Sequence, residues 1–215
     1  MNETFKSISE RQADFEDLWT NKAKHFTKAP ILADIRPHLE GIGFFTAPAS
    51  TKYHGAYEGG LYDHSRMVFL RLQDLTNKLN LQWERPESPF IIGMFHDLCK
   101  CDQYNLITDA DYSGCENPEL ATEEDIKNGY KLASHYEYNT KTLLKGHGSK
   151  SVMLLSKYMQ LTEEEMLCIR YHMGAYGNEH EQKDEWAGFD LAIRKYPNVF
   201  YTHAADMIAS KIDDI

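Results

Sequence analysis

A chain of 215 residues, 42% hydrophobic and 26% charged, can bury one substantial core and has none of the bias of disordered or collagen-like sequences. Its formal net charge of −10 argues against a protein that grips long nucleic acid, because such binding is driven by Lys and Arg neutralising phosphates. No apolar run approaches the roughly 20 residues that span a bilayer, and MNETFKSISERQ lacks the apolar segment of a signal peptide, so a cytoplasmic protein without a membrane partner is expected.

Residues 9–24 carry an amphipathic pattern that gathers Phe15, Leu18 and Trp19 on one helix face. Between Ala29 and Thr51, the prolines Pro30, Pro37 and Pro48 with Gly41 and Gly43 predict short helical pieces broken by turns. Residues 1–51 are thus read as N-terminal packing helices of a single domain. Gly55, Gly59 and Gly60 permit a tight loop, after which Leu61, His64, Val68, Leu72, Leu75 and Leu79 recur at spacings of three and four. That is a helix with one inward face, and His64 lies on it. A lone histidine there is ordinarily packed against a backbone carbonyl, but His54 and the Gly-Gly turn just upstream suggest more than packing.

Pro86 and Pro89 punctuate the start of the next helix. Phe90, Ile91, Ile92, Met94 and Phe95 make it apolar on every side, as in the middle of a bundle, and it ends in His96, Asp97 and, three residues on, Lys100. Charge delivered into an interior needs a partner, and a divalent metal is the partner best matched to adjacent His96 and Asp97. The dipeptide alone carries little, since roughly 0.7 are expected by chance in this composition.

Between Cys101 and Gly146 the pattern weakens, and the alternation in KLASHYEYNTKT predicts a short strand or hairpin near Tyr130–Thr142. This excursion from a helical body is read as a lid or rim of the site. Helical order resumes over Ser149–Met159, with Val152, Leu154, Leu155 and Tyr158 apolar, and Thr162 with Glu165 forms a capping box that opens the following helix. His147 sits just ahead of the first of these helices and His172 at the end of the second. A last helix from about Val199 puts His203, Asp206, Met207 and Ser210 on one face, which carries Asp206 into apolar surroundings. Cys99, Cys101, Cys115 and Cys168 show no zinc-knuckle or disulfide spacing and read as reduced thiols; for the C-x-C pair, plain packing is favoured over metal binding or redox sensing.

Taken in order, His64, His96-Asp97, His147, His172 and Asp206 resemble the HD-domain superfamily of metal-dependent phosphohydrolases, a resemblance that covers roughly residues 52–212 and implies a metal-binding HD core there. The local wording is close in HGAYEGGLYDHS, HDLCK, GHGSKSV and HAADMIASKI, and the first is similar to the His-x-x-x-Gly-Gly-Leu-x-x-His segment of HD domains related to bacterial 3′-to-5′ exoribonucleases. The resemblance implies an all-α HD-domain helical bundle with a small irregular or β-hairpin excursion around 101–146. It further implies a first metal on His64, His96, Asp97 and Asp206, and, where two ions bind, Asp97 bridging to a second held by His147 and His172. One or two divalent transition ions suit these ligands: manganese, iron, cobalt, nickel or zinc, with magnesium less natural.

The chemistry such a site supports is phosphate ester hydrolysis by metal-activated water. Asp97 and Lys100 are the expected catalytic residues, Lys100 also meeting the substrate phosphate, as the lysine of HD-x-x-Lys does in some relatives. His54, His203 and, more weakly, Arg170 are candidate substrate or supporting contacts. Lys100 stands where HD-type 5′-nucleotidases carry glutamate, and the Gly-Tyr-Pro motif of the cyclic di-GMP phosphodiesterase branch is absent. The extra nucleic-acid-binding domain of the exoribonuclease-like branch has no counterpart in this length and charge. The expected partner is therefore a small phosphorylated substrate such as a nucleotide. The alternatives are a phosphodiesterase or 3′-5′ exonuclease on short single strands, and a non-catalytic metal-binding HD module.

Overall fold

Residues 7–23, 33–108, 134–176 and 182–215 are described by the computed structural model. Among them are eight α-helices: α1 (Ile8–Ala23), α2 (Arg36–Leu39), α3 (Gly60–Leu79), α4 (Ser88–Phe95), α5 (His147–Leu155), α6 (Glu163–Arg170), α7 (Gln182–Lys195) and α8 (Asn198–Lys211). One antiparallel pair of strands, β1 (Tyr104–Thr108) and β2 (Ser134–Tyr138), accompanies them, in register Leu106 to Tyr136. The fold is all-α with a small two-stranded excursion, as the sequence pattern predicts. None of the described helices is long and apolar enough to cross a membrane.

The short α4 is the centre of the bundle, because every one of its eight residues is buried. It lies against α3 at a point where only glycine fits: a Cβ on Gly93 would come within 2.4 Å of the Phe69 Cα. On its other side an aromatic cluster gathers Phe15 and Trp19 of α1 with Phe44, Phe45, Tyr62, Phe90 and Phe95, ring to ring at 5.4–6.4 Å in mostly edge-on contacts. The N-terminal helix thus packs into the same core as the segment after residue 52.

Helix α3 begins at Gly59, whose φ of 85° is open to glycine, and ends at Asn80 in the left-handed conformation with its N–H donated to the Thr76 carbonyl. Its inward stripe of Leu61, His64, Val68 and Leu72 is buried, but the expected continuation fails, since Leu75 is only half-buried and Leu79 is 51% exposed. Helix α6 opens on the predicted capping box: Thr162 Oγ1 accepts from the Glu165 N–H while Glu165 accepts from the Thr162 N–H. The same Glu165 carboxylate is held by Arg85 and Ser88, and Glu164 accepts from the Glu84 N–H and from Asn198. These two acids tie the start of α4, the start of α8 and α6 into one frame.

The strand expected near 130–142 is β2, paired with β1 across the excursion. Two expectations are corrected. Helix α5 starts at His147 rather than Ser149 and stops at Leu155, where Tyr158 turns its N–H back to the Leu155 carbonyl. On α8, His203, Asp206 and Ser210 share a face, but Met207 points away from it and is 43% exposed. Residues 109–133 of the proposed lid, and Cys115 with them, lie outside the described residues.

Candidate metal centre

The end of α4 delivers two ligands to one point. His96 closes the helix, its N–H bonded to the Ile92 carbonyl, and Asp97 leaves it with φ −108° and ψ 21° before a 3-10 turn over Leu98–Asp102. Consecutive residues of an α-helix point about 100° apart. The break at Asp97 lets both side chains face the same interior.

Four histidines from three other segments and the α4 end converge there. His64 comes from the first turns of α3. His147 is the first residue of α5, placed by Gly146, whose φ of 85° and ψ of 135° suit only glycine. His172 follows the end of α6, and α5 can approach it because Gly148 lies where a Cβ would come within 2.3 Å of the Arg170 carbonyl oxygen. The His147 and His172 rings are thereby 5.1 Å apart, His172 and His96 4.7 Å, His96 and His64 5.3 Å. Asp206, from α8, completes the group.

Asp97 divides its two oxygens between two sets of imidazoles. Its Oδ1 lies 2.9 Å from His147 Nε2 and 3.2 Å from His172 Nε2. Its Oδ2 lies 3.3 Å from His96 Nε2 and 3.7 Å from His64 Nε2. Asp206 Oδ1 stands on the second side, 3.0 Å from His64 Nε2 and 3.7 Å from His96 Nε2. His64, His96 and Asp97 form one group able to hold a metal ion, and Asp97, His147 and His172 a second, with Asp97 common to both.

The hydrogen bonds on the far side of each ring decide which nitrogen faces the cluster. His64 Nδ1 donates to the Ile215 carbonyl at 2.8 Å, His96 Nδ1 to Gly93 at 2.9 Å and His172 Nδ1 to Ile169 at 2.8 Å. A carbonyl only accepts, so each Nδ1 carries a proton and each ring turns its Nε2 inward, that of His64 to Asp206 Oδ1 at 3.0 Å. The buried Nε2 atoms of His96, His147 and His172 make no hydrogen bond. Ring nitrogens and carboxylate oxygens about 3 Å apart need positive charge between them, a proton or a metal ion. Imidazoles anchored through Nδ1, with Nε2 and carboxylate oxygens converging, could coordinate a metal ion. The residues therefore fit the metal that the sequence resemblance implies.

Without an ion the acids draw a proton to His96: burial alone would lower its pKa, but Asp97 and Asp206 together raise it to about 10, and a metal ion there would displace that proton. Burial would raise Asp97, yet the Lys100 ammonium and His96 hold it well below the usual carboxylate range, and His64 and His96 do the same for buried Asp206. His147 is lowered by burial and by His172 and Lys100, against the pull of Asp97.

The remaining predicted residues are placed as follows. Lys100 is buried and puts Nζ 2.7 Å from Asp97 Oδ2, so it is no solvated helix end. His54 packs its ring 5.0 Å from that of His64 and has a buried Nδ1 without a hydrogen bond; burial, His64 and Lys100 lower its pKa to about 4. His203 sits behind the centre, its Nδ1 donating to the His172 carbonyl at 2.7 Å. Arg170 stacks its guanidinium 5.1 Å over the Tyr171 ring. Sequence reasoning passed over two neighbours. Cys99, taken for packing, places Sγ 3.3 Å from His147 Nδ1, and buried Lys150 pairs with Asp102. The signal for Cys99 was its place two residues after Asp97.

No family model matches the chain, and neither does any curated protein or solved structure.

Proposed function

We propose that this protein is an HD-type metal-dependent phosphohydrolase that cleaves the phosphate ester of a nucleotide or a similar small molecule. The observation that carries the reading is the division of Asp97 between two imidazole sets, with Oδ1 towards His147 and His172 and Oδ2 towards His64 and His96. A carboxylate so placed suits two ions side by side. His64, His96, Asp97 and Asp206 would hold one, and Asp97, His147 and His172 the other. Divalent ions at such a centre lower the pKa of water from about 15.7 towards about 7 and neutralise charge growing on phosphoryl oxygens.

The chain's own residues do the rest. The Lys100 ammonium, raised above its ordinary pKa by Asp97 against the pull of burial, stays charged in the buried site and can turn from Asp97 Oδ2 to a phosphate oxygen. His54, its pKa lowered to about 4 by burial, His64 and Lys100, offers an unpaired Nδ1 at the His64 side as an acceptor for a substrate hydroxyl or amino group. His203 fixes the backbone that carries His172. The net charge of −10 favours a small substrate over a long polyanion.

The test is elemental analysis of purified protein joined to a phosphate-release screen over nucleotides, sugar phosphates and phosphodiesters. Bound transition metal with turnover of a mononucleotide is expected. Metal-replete protein inactive across the panel would overturn the enzyme assignment, and degradation of a labelled oligonucleotide from its 3′ end with mononucleotides spared would move it to a nuclease.

A further inference from the structure

The four histidines of the centre are not held alike. His64, His96 and His172 each give Nδ1–H to a backbone carbonyl, a strong acceptor fixed by the fold. His147 faces instead the sulfur of Cys99 at 3.3 Å. It is also the least enclosed of the four, with 16% of its side chain exposed where the other three are sealed.

The Cys99 sulfur lies at the Nδ1 edge of the His147 ring, 3.9 Å from Asp97 Oδ1, and is not one of the atoms that group to hold an ion. Its own surroundings make it an acceptor there. The thiol hydrogen has a carboxylate to go to, Asp97 Oδ1 at 3.9 Å, which leaves the sulfur lone pairs towards His147 Nδ1. Position is fixed from the backbone side as well: the Cys99 N–H donates to Ser151 Oγ at 3.0 Å, one turn along α5 from His147. The 3-10 turn after Asp97 therefore grips the start of α5 at two points, and one of those points is the far nitrogen of a ligand.

Resting on the two-ion reading above, we infer that Cys99 is a positioning residue for the second ion: its sulfur fixes the His147 tautomer and ring, and makes the His147–His172 half of the centre the weaker of the two. Sulfur is a poor hydrogen-bond acceptor beside a carbonyl, so the imidazole it supports is less firmly oriented and less basic than the other three. The half-site on His64, His96 and Asp206 fills first and the half-site on His147 and His172 second.

Calorimetric and visible-absorption titration of chelator-treated protein with Co²⁺ tests this. Wild type should take two ions in distinguishable steps. Cys99→Ala should keep the first step and bind the second ion about 10–100-fold more weakly, the usual effect of losing a partner behind a metal ligand. Cys99→Ser, whose hydroxyl still accepts from Nδ1, should recover most of that loss, and His147→Ala should abolish the second step alone. Cys99→Val, of similar volume, replaces Cys99→Ala if the latter is unfolded by circular dichroism. Two unaltered steps in Cys99→Ala, equal weakening of both, or no rescue by serine would overturn the inference while leaving the two-ion centre standing. A wild type that takes up no Co²⁺ would overturn the centre itself.

Discussion

Replacing Asp97 by Asn keeps shape and volume but removes the one carboxylate common to both imidazole sets. In metal-free protein this strands Lys100, whose Nζ lies 2.7 Å from Asp97 Oδ2 with both groups buried. Two unit charges at that distance attract by about 6 kcal/mol at an effective dielectric of about 20. Because the variant also relieves desolvation of the carboxylate, the measured cost of breaking such a buried pair, about 3–5 kcal/mol, is the better guide. For a chain of this length that corresponds to a melting temperature lower by about 6–20 °C. Chelator-treated wild type and Asp97→Asn are compared by thermal denaturation, and metal content is measured at a temperature where both are folded. The variant should melt within that lower range and lose both ions and turnover. A shift below about 2 °C, or full metal stoichiometry in the folded variant, would refute the reasoning.

Lys100→Met should retain both ions, since no imidazole is touched, but lose about 10²–10³-fold in kcat as a group that meets developing phosphoryl charge; loss of metal instead would make Lys100 structural. In metal-free protein His54 has a folded pKa near 4 against 6.5 for the free side chain, so between those values the unfolded state binds more protons. Its contribution is fully present above pH 6.5 and declines as pH falls towards 4. Urea denaturation of His54→Gln should accordingly show a shallower fall in stability over that window than wild type, and parallel profiles would contradict the assignment. Gly93→Ala drives a methyl against the Phe69 backbone and should cost about 1–3 kcal/mol in urea denaturation while lowering metal affinity, because α4 carries His96; wild-type stability would mean that α3 and α4 do not pack as described.

The candidate ligands were legible in the sequence because charge at the end of an all-apolar helix has few physical explanations. Phe90–Phe95 could only be central, so His96 and Asp97 had to be inside, and the same logic applied to Asp206 on α8. What holds those ligands was not legible. The Nδ1 partners of His64, His96 and His172 are the carbonyls of Ile215, Gly93 and Ile169, and backbone atoms leave no mark in a side-chain pattern. Helix α7 passed unnoticed because among its described side chains only Ala192 is fully buried, with Phe189 and Ile193 half-buried, too narrow a stripe to announce a period. Strand β1 escaped because its partner β2 lies about thirty residues away, and pairing at that distance follows from the fold rather than from a local turn. Met207 was assigned inward with Asp206 although adjacent helical positions diverge by about 100°; burying Asp206 left Met207 outside.

The central claim is that Asp97 joins two metal ions, and anomalous diffraction from crystals grown with Mn²⁺ or Zn²⁺ tests it most directly. Two peaks about 3.5–4 Å apart should flank Asp97, one among His64, His96 and Asp206, the other between His147 and His172. Folded protein in saturating metal with no peak at these histidines, or with ions that do not touch Asp97, would contradict it.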